Sequence, residues 1–191
     1  MNTIRMLAAA LLVVALAGCA SAPPVDPKDE RLSLVYGHFD MKAAPSSLDW
    51  VSLKKYDSKK PKGEWYHLAV HDGVFLHVGI EPGSYQVDKF GGMGGIPLLT
   101  RRPFEYDFGG QGRNDTAIRI QTAGTYFLGS YTYVDHSGGL FQADKFELKP
   151  SATPGEKDVL QRVIKVMETE KDLAPYTRQL AMAKQRLASL K

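Results

Sequence analysis

The sequence predicts a mainly β protein, an antiparallel β-sandwich followed by a C-terminal pair of α-helices. Three observations predict it. Short alternating apolar–polar runs recur at spacings of about 8–15 residues over positions 32–150. An Asp72-Gly73 dipeptide stands between two such runs, the strongest short-range hairpin signal. From Thr153 onward the apolar period changes from two to that of a helix. Eighteen glycines and 10% aromatic residues agree with strands and turns.

Leu32–Asp40 (LSLVYGHFD) opens the domain, Asp49–Tyr56 (DWVSLKKY) alternates, and Ser58–Gly63 is a charged turn. Glu64–Val70 and Val74–Ile80 flank Asp-Gly as the two arms of a hairpin. Glu81-Pro82-Gly83 turns the chain into Ser84–Phe90. Pro103–Phe108, Thr116–Gln121, Gly124–Val134 and Gly139–Leu148 complete eight or nine strands. The glycine-bearing stretches FGGMGGIP (90–97) and DFGGQGRND (107–115) are expected as loops. Neither opens a helix, so neither is a phosphate cradle, and the motifs that accompany a kinase Asp-Phe-Gly are absent.

Thr153-Pro154-Gly155-Glu156 reads as a capping box with proline at the first helical position. Val159, Leu160, Val163, Ile164 and Met167 share one face of the first helix, opposite Asp158, Gln161, Lys165 and Glu168. Asp172 is expected to cap the second, with Pro175 in its first turn. Tyr176, Leu180, Ala183, Leu187 and Leu190 form that helix's apolar stripe. Arg178, Lys184, Arg186 and Lys191 scatter around its polar side as a solvated face.

At the N-terminus, Met1–Arg5 carries one positive charge and Met6–Ala17 is an unbroken apolar run. The run is too short for a permanent bilayer span and ends in small residues, so residues 1–18 read as a cleavable export signal. Leu16-Ala17-Gly18-Cys19 looks like a bacterial lipobox. That resemblance implies cleavage between Gly18 and Cys19, a diacylglycerol on the Cys19 thiol and an acyl chain on its new amino group. Cys19 is the only cysteine, which excludes an intramolecular disulfide. A free thiol or an intermolecular disulfide is the other reading. Ala20, where aspartate signals inner-membrane retention in such lipoproteins, implies the periplasmic face of the outer membrane. Residues 19–31, rich in proline, small and charged residues, are then the lipidated cysteine and a flexible tether. The sandwich occupies 32–150 and the helical pair 153–191.

Gly79–Phe90 (GIEPGSYQVDKF) resembles transthyretin-like and carboxypeptidase-regulatory-like β-sandwich domains, and also lipoproteins built on that plan. The resemblance implies a binding or spacer module and carries over no catalytic residue. Gly124-Thr125-Tyr126-Phe127-Leu128 echoes Gly83-Ser84-Tyr85-Gln86-Val87. In both, glycine provides a turn and tyrosine is expected to lay its ring over the sandwich edge with a wet hydroxyl.

Net charge of +3, or +2 once Arg5 leaves with the signal, is too small for a nucleic-acid footprint. His67 and His71 stand about 13 Å apart on a strand, and His77 has no acidic or cysteine partner at a zinc spacing, so no metal or cofactor is expected beyond the acyl groups on Cys19. No Gly-x-Ser-x-Gly elbow exists, and Asp135-His136-Ser137 are sequence neighbours rather than a triad. Glu105 and Asp107 share a strand face and are the pair an envelope hydrolase would need. Tyr126, Tyr131 and Tyr133, with Trp50, Trp65 and Tyr66, are the candidate ligand-binding rings, Tyr131 and Tyr133 on one face together with Phe127. Rings on strands also serve as core and cross-strand pairs, and both readings stand. The expected function is a lipid-anchored, non-enzymatic binding or assembly module of the cell envelope, partnered by the membrane and by envelope proteins. The alternative is a carbohydrate- or peptidoglycan-binding module that uses the strand aromatics on cell-wall glycans.

Overall fold

The computed structural model describes residues 25–44, 47–61, 63–94, 102–108, 116–135 and 146–191. The strands are β1 (Ser33–Asp40), β2 (Trp50–Lys55), β3 (Glu64–His71), β4 (Val74–Ile80), β5 (Gly83–Gly94), β6 (Arg102–Asp107), β7 (Ile118–Ile120), β8 (Thr125–Asp135) and β9 (Phe146–Ser151). Helix α1 (Glu156–Thr169) and helix α2 (Thr177–Ser189) follow, joined through a 3-10 turn at Lys171–Leu173. The protein is thus mainly β with a C-terminal helical pair.

The nine strands among the described residues share one sheet, in the order β6-β5-β2-β3-β4-β1-β8-β9, with β7 paired to the first residues of β5. Among them every pairing is antiparallel except β1 with β8, which is parallel. Two stacked sheets are replaced by one that curls, so its own inner face supplies both sides of a core. Phe108, just past β6, meets Tyr131 of β8 at 5.1 Å between ring centroids, although the two strands lie near opposite ends of the sheet. Phe39 of β1 sits between them, 5.6 Å from Phe108 and 5.7 Å from Tyr131.

The hairpin between β3 and β4 turns at Asp72 (φ 50°) and Gly73 (φ 77°), both left-handed as a type I′ turn demands. Strand β1 alternates as period two requires, yet is buried throughout Ser33–Phe39. Val35 and Phe39 enter the inner core. Leu34 and Tyr36 face outward and join Val74, Leu76 and Val78 of β4 in a second apolar cluster. The predicted stripe of α1 (Val159, Leu160, Val163, Ile164, Met167) covers that cluster, and Tyr176, Leu180, Ala183, Leu187 and Leu190 pack against it from α2.

Both helix starts differ from expectation. Helix α1 begins at Glu156 with Gly155 at its N-cap and no side-chain cap. Thr153 is held back towards β9, its N–H bonded to Ser151 Oγ at 3.1 Å and its carbonyl accepting the same hydroxyl at 2.6 Å. Glu156, expected to reach back to the cap, instead receives Arg186 of α2 through Nε (2.8 Å) and Nη2 (3.0 Å), and the Tyr36 hydroxyl at 3.0 Å. Asp172 lies in the 3-10 turn, and Tyr176 takes the N-cap of α2, again without a side-chain bond. Pro175 precedes that helix.

Gly91–Gly94, expected in a loop, extend β5 and pair with Glu105, Phe104, Pro103 and Arg102 of β6. A side-chain-free backbone lets Gly91 and Gly92 be buried there. In β8 the face alternation breaks. Tyr36 pairs with Phe127 but His38 pairs with Ser130, so β8 carries an extra residue at Gly129 (φ 105°). A bulge of one residue moves every later side chain to the other face. Hence Phe127 packs under the helices while Tyr131 and Tyr133 point into the core, correcting the expectation that the three share a face.

The echoed Gly-Ser/Thr-Tyr stretches fold alike. Tyr85 donates its hydroxyl to the Glu81 carbonyl and Tyr126 to the Thr122 carbonyl, each at 2.7 Å and each four residues back. Tyr85 is 1% exposed, so its hydroxyl closes a turn instead of meeting water.

Gly129→Ala should destabilise the fold by about 1–3 kcal/mol, because its φ suits glycine alone and a Cβ would stand 3.1 Å from the Tyr131 ring; urea unfolding measures this. Tyr85→Phe should cost about 1 kcal/mol and Tyr126→Phe less, since the Tyr85 hydrogen bond is partly buried and the Tyr126 one is exposed to competing water. Equal costs in the same assay would contradict the burial difference.

Candidate functional site

Two of the rings expected to bind a ligand, Tyr131 and Tyr133, are inside the protein. Tyr131 is 3% and Tyr133 6% exposed, both in the inner core, and Tyr126 is half-buried against it. The bulge at Gly129 turns Tyr131 and Tyr133 inward, so these three rings form no surface platform. The large apolar side chains that are exposed among the described residues are Tyr56 and Trp65. Lys54 Nζ stands over both rings, at 5.5 and 5.4 Å. The Trp65 indole N–H donates to Asp88 at 2.7 Å and the ring packs on the backbone at Gly63. Both rings thus have Lys54 as a local partner, and Trp65 has Asp88 and Gly63 besides.

Glu105 and Asp107 both reach Lys89, at 2.5 and 3.7 Å, as a surface ion-pair cluster and not as facing acids in a cleft. Among the described residues no three His, Cys, Asp or Glu side chains are grouped to hold a metal. Gly18, Cys19, His136 and Ser137 lie outside the described residues.

Residues 25–31, expected as the end of the tether, contact the domain. Val25 packs on the backbone of β4 at Gly79, and its carbonyl accepts the Tyr176 hydroxyl at 3.1 Å. Arg178 donates to the Glu30 carbonyl at 2.6 Å. Arg31 holds Asp29 through a side-chain hydrogen bond and so lowers its carboxyl to about 2.

At the far end of β1 lies a cleft of about 670 Å³, within the range of small-molecule sites. Four segments converge there. They are the end of β1 with the chain that follows it (His38, Asp40, Met41, Lys42, Ser47, Leu48), the Asp72-Gly73 turn, the Thr153-Pro154 approach to α1, and Arg162 on α1. Alternation along β1 puts His38 on the same outer face as Leu34 and Tyr36, at the rim of the helical cover. It is 6% exposed, and its Nδ1 is buried without a hydrogen-bond partner among the described residues. A buried polar atom left unpaired costs about 1–3 kcal/mol. Burial first, then the positive charge of Arg162, lowers the His38 pKa, while Asp40 and Asp72 pull it up and Lys42 adds to the lowering. The imidazole is therefore held neutral, its Nε2 towards Gly73.

Four charges of both signs surround His38, yet none of them pairs with another among the described residues. The Asp40 carboxylate accepts only the backbone N–H of Lys42, at 3.1 Å. Ser47 donates its hydroxyl to Asp49. Such a site can bind and orient a polar ligand; among the described residues it holds no nucleophile hydrogen-bonded to a base. A smaller hollow of about 390 Å³ lies beside β5 and β7, lined by Tyr56, Gln86, Ile118 and Arg119. Sequence reading missed His38 because it ends an apolar strand, and Arg162 because it reads as one solvated residue of a helix.

His77 is a half-buried base with a structural role. Its Nδ1 accepts the Gly79 N–H at 2.9 Å, and the Tyr66 ring meets it edge-on at 5.7 Å. Burial, with a smaller push from His67, lowers it from 6.5 to about 4. The folded state resists protonation that the unfolded chain accepts, so stability is full above about pH 6.5 and falls as the pH drops towards 4. Between pH 7 and pH 4.5 this group should remove about 2.5 kcal/mol, and His77→Gln should shrink the pH dependence by that amount in urea unfolding.

No protein-family model, no curated protein and no solved structure matches this chain. The functional reading rests on its own residues.

Proposed function

We propose that the protein is a lipid-anchored module of the bacterial cell envelope, held at the periplasmic face of the outer membrane, that binds a partner or ligand without catalysing a reaction. The observation that carries this reading is Leu16-Ala17-Gly18-Cys19 at the end of the apolar run Met6–Ala17. Each acyl chain on Cys19 adds about 0.8 kcal/mol of anchoring per buried methylene, so several chains hold the protein without a membrane-spanning segment. No helix among the described residues is long and apolar enough to cross a membrane.

The docking of residues 25–31 limits the reach of the domain. From Cys19 to Val25 the chain spans at most about 21 Å. Val25 lies by Gly79, next to Ile80, which pairs with Ser33 at the start of β1. The cleft lies at the other end of β1, about 23 Å further on. In this reading β1 is a standoff that presents the cleft away from the lipid surface.

Cys19→Ser should abolish incorporation of radiolabelled palmitate and release the protein from the membrane fraction; a labelled variant would overturn the anchor. Orientation is read with nitroxides at Lys28→Cys and Asp72→Cys, on the lipidated protein in vesicles containing a nickel-chelating lipid. Relaxation should be strong at position 28 and weak at 72, and equal relaxation would overturn the standoff.

A further inference from the structure

We propose that the cleft at the end of β1 binds a small zwitterion, with a carboxylate on Arg162 and an ammonium group between Asp40 and Asp72. This rests on the reading of the cleft as the module's binding site and names the chemistry of its ligand. Three observations carry it.

The first is charge. Arg162 and Lys42 face Asp40 and Asp72 around one cavity, and no ion pair joins them among the described residues. Elsewhere the same chain closes such pairs readily: Arg186 on Glu156, Lys184 on Glu168, Lys60 on Glu64 and Lys89 on Glu105. Two acids and two bases held apart around a cavity suit a ligand that brings one charge of each sign. A purely anionic ligand would meet Asp40 and Asp72, and a purely cationic one would meet Arg162 and Lys42; either pays a like-charge penalty that a zwitterion avoids.

The second is the imidazole. His38 is more than nine-tenths buried and lines the cavity, and its ring Nδ1 has no hydrogen-bond partner among the described residues. Its neutral ring carries one donor and one acceptor, so it can bond either end of a zwitterion without adding charge. Burial and Arg162 both favour that neutral form, against the opposing pull of Asp40 and Asp72.

The third is rigidity. Asp72 is set by a two-residue hairpin turn, Arg162 stands on a helix seated on the sheet, and His38 is in the most buried strand. Sites on such elements hold their geometry before the ligand arrives, which lowers the entropy lost on binding. The arrangement takes the ammonium–carboxylate pair common to free α-amino acids and short peptides.

The test is titration calorimetry on the full lipidated chain in detergent micelles at pH 7, with alanine, dialanine and trialanine as probes. N-acetylalanine and alaninamide, which carry one charge each, are the controls. At least one zwitterion should bind with a dissociation constant below about 1 mM, and both single-charge controls at least tenfold more weakly. Preference for alanine over the peptides assigns a free amino acid, and the reverse order a peptide. Arg162→Ala and Asp72→Asn, both at exposed positions, should each weaken binding at least tenfold while the melting temperature stays unchanged. Absence of binding by all three zwitterions overturns the proposal, as does equal binding of a single-charge control or an unchanged affinity in Arg162→Ala. Palmitate labelling and the nitroxide contrast are independent of this result, so a wrong ligand class is distinguishable from a wrong anchor.

Discussion

Strand β1 is apolar on both faces, and the need to bury both at once organises the molecule. A strand at the edge of a sheet, or in a sheet with one wet face, would leave Val35 and Phe39 or Leu34 and Tyr36 in water. The chain resolves this with two different covers. Curling of the sheet encloses the inner face, where Phe39 packs against Phe75, Phe90, Phe108 and Tyr131. The two helices cover the outer face, and Tyr36 reaches across it to the Glu156–Arg186 pair that joins them. One residue of β1 is therefore tied to both helices.

The same constraint creates the cleft. Helical cover ends before β1 does, so the outward position after Leu34 and Tyr36 falls at the rim, and that position is His38. The Asp72-Gly73 turn and the Thr153-Pro154 approach to α1 reach the same end because β4 pairs with β1 and α1 packs across both. At the opposite end, Val25 seals the sheet against α2. A docked segment at Val25 and an open cleft at opposite ends of one buried strand give the domain a polarity that neither feature has alone.

The strands were legible because alternation, Asp-Gly and Pro-Gly act over a few residues. The apolar stripe of α1 was legible for the same reason: Val159, Leu160, Val163, Ile164 and Met167 are buried together because the helical period puts them on one side. The helix starts were not. A capping box is a local offer, and it lost to other partners: Thr153 is held by Ser151 two residues back, and Glu156 by the distant Arg186 and Tyr36. The echo between Gly83–Val87 and Gly124–Leu128 was visible as letters, but its meaning, a tyrosine bonded to a carbonyl four residues back, needs the turn to exist first.

What the sequence alone determines is whatever depends on neighbours along the chain: the mainly β class, the change to helices at the C-terminus, and the hairpin at Asp72-Gly73. The tertiary structure decides what depends on residues far apart. It chooses one curled sheet over two stacked ones, sends Tyr131 and Tyr133 inward through the bulge at Gly129, and brings His38, Asp72 and Arg162 to one cavity. Period and turn chemistry are written within a few residues. Which face a strand presents past a bulge, and which charges meet across a cleft, are set by packing between segments that the order of residues does not place side by side.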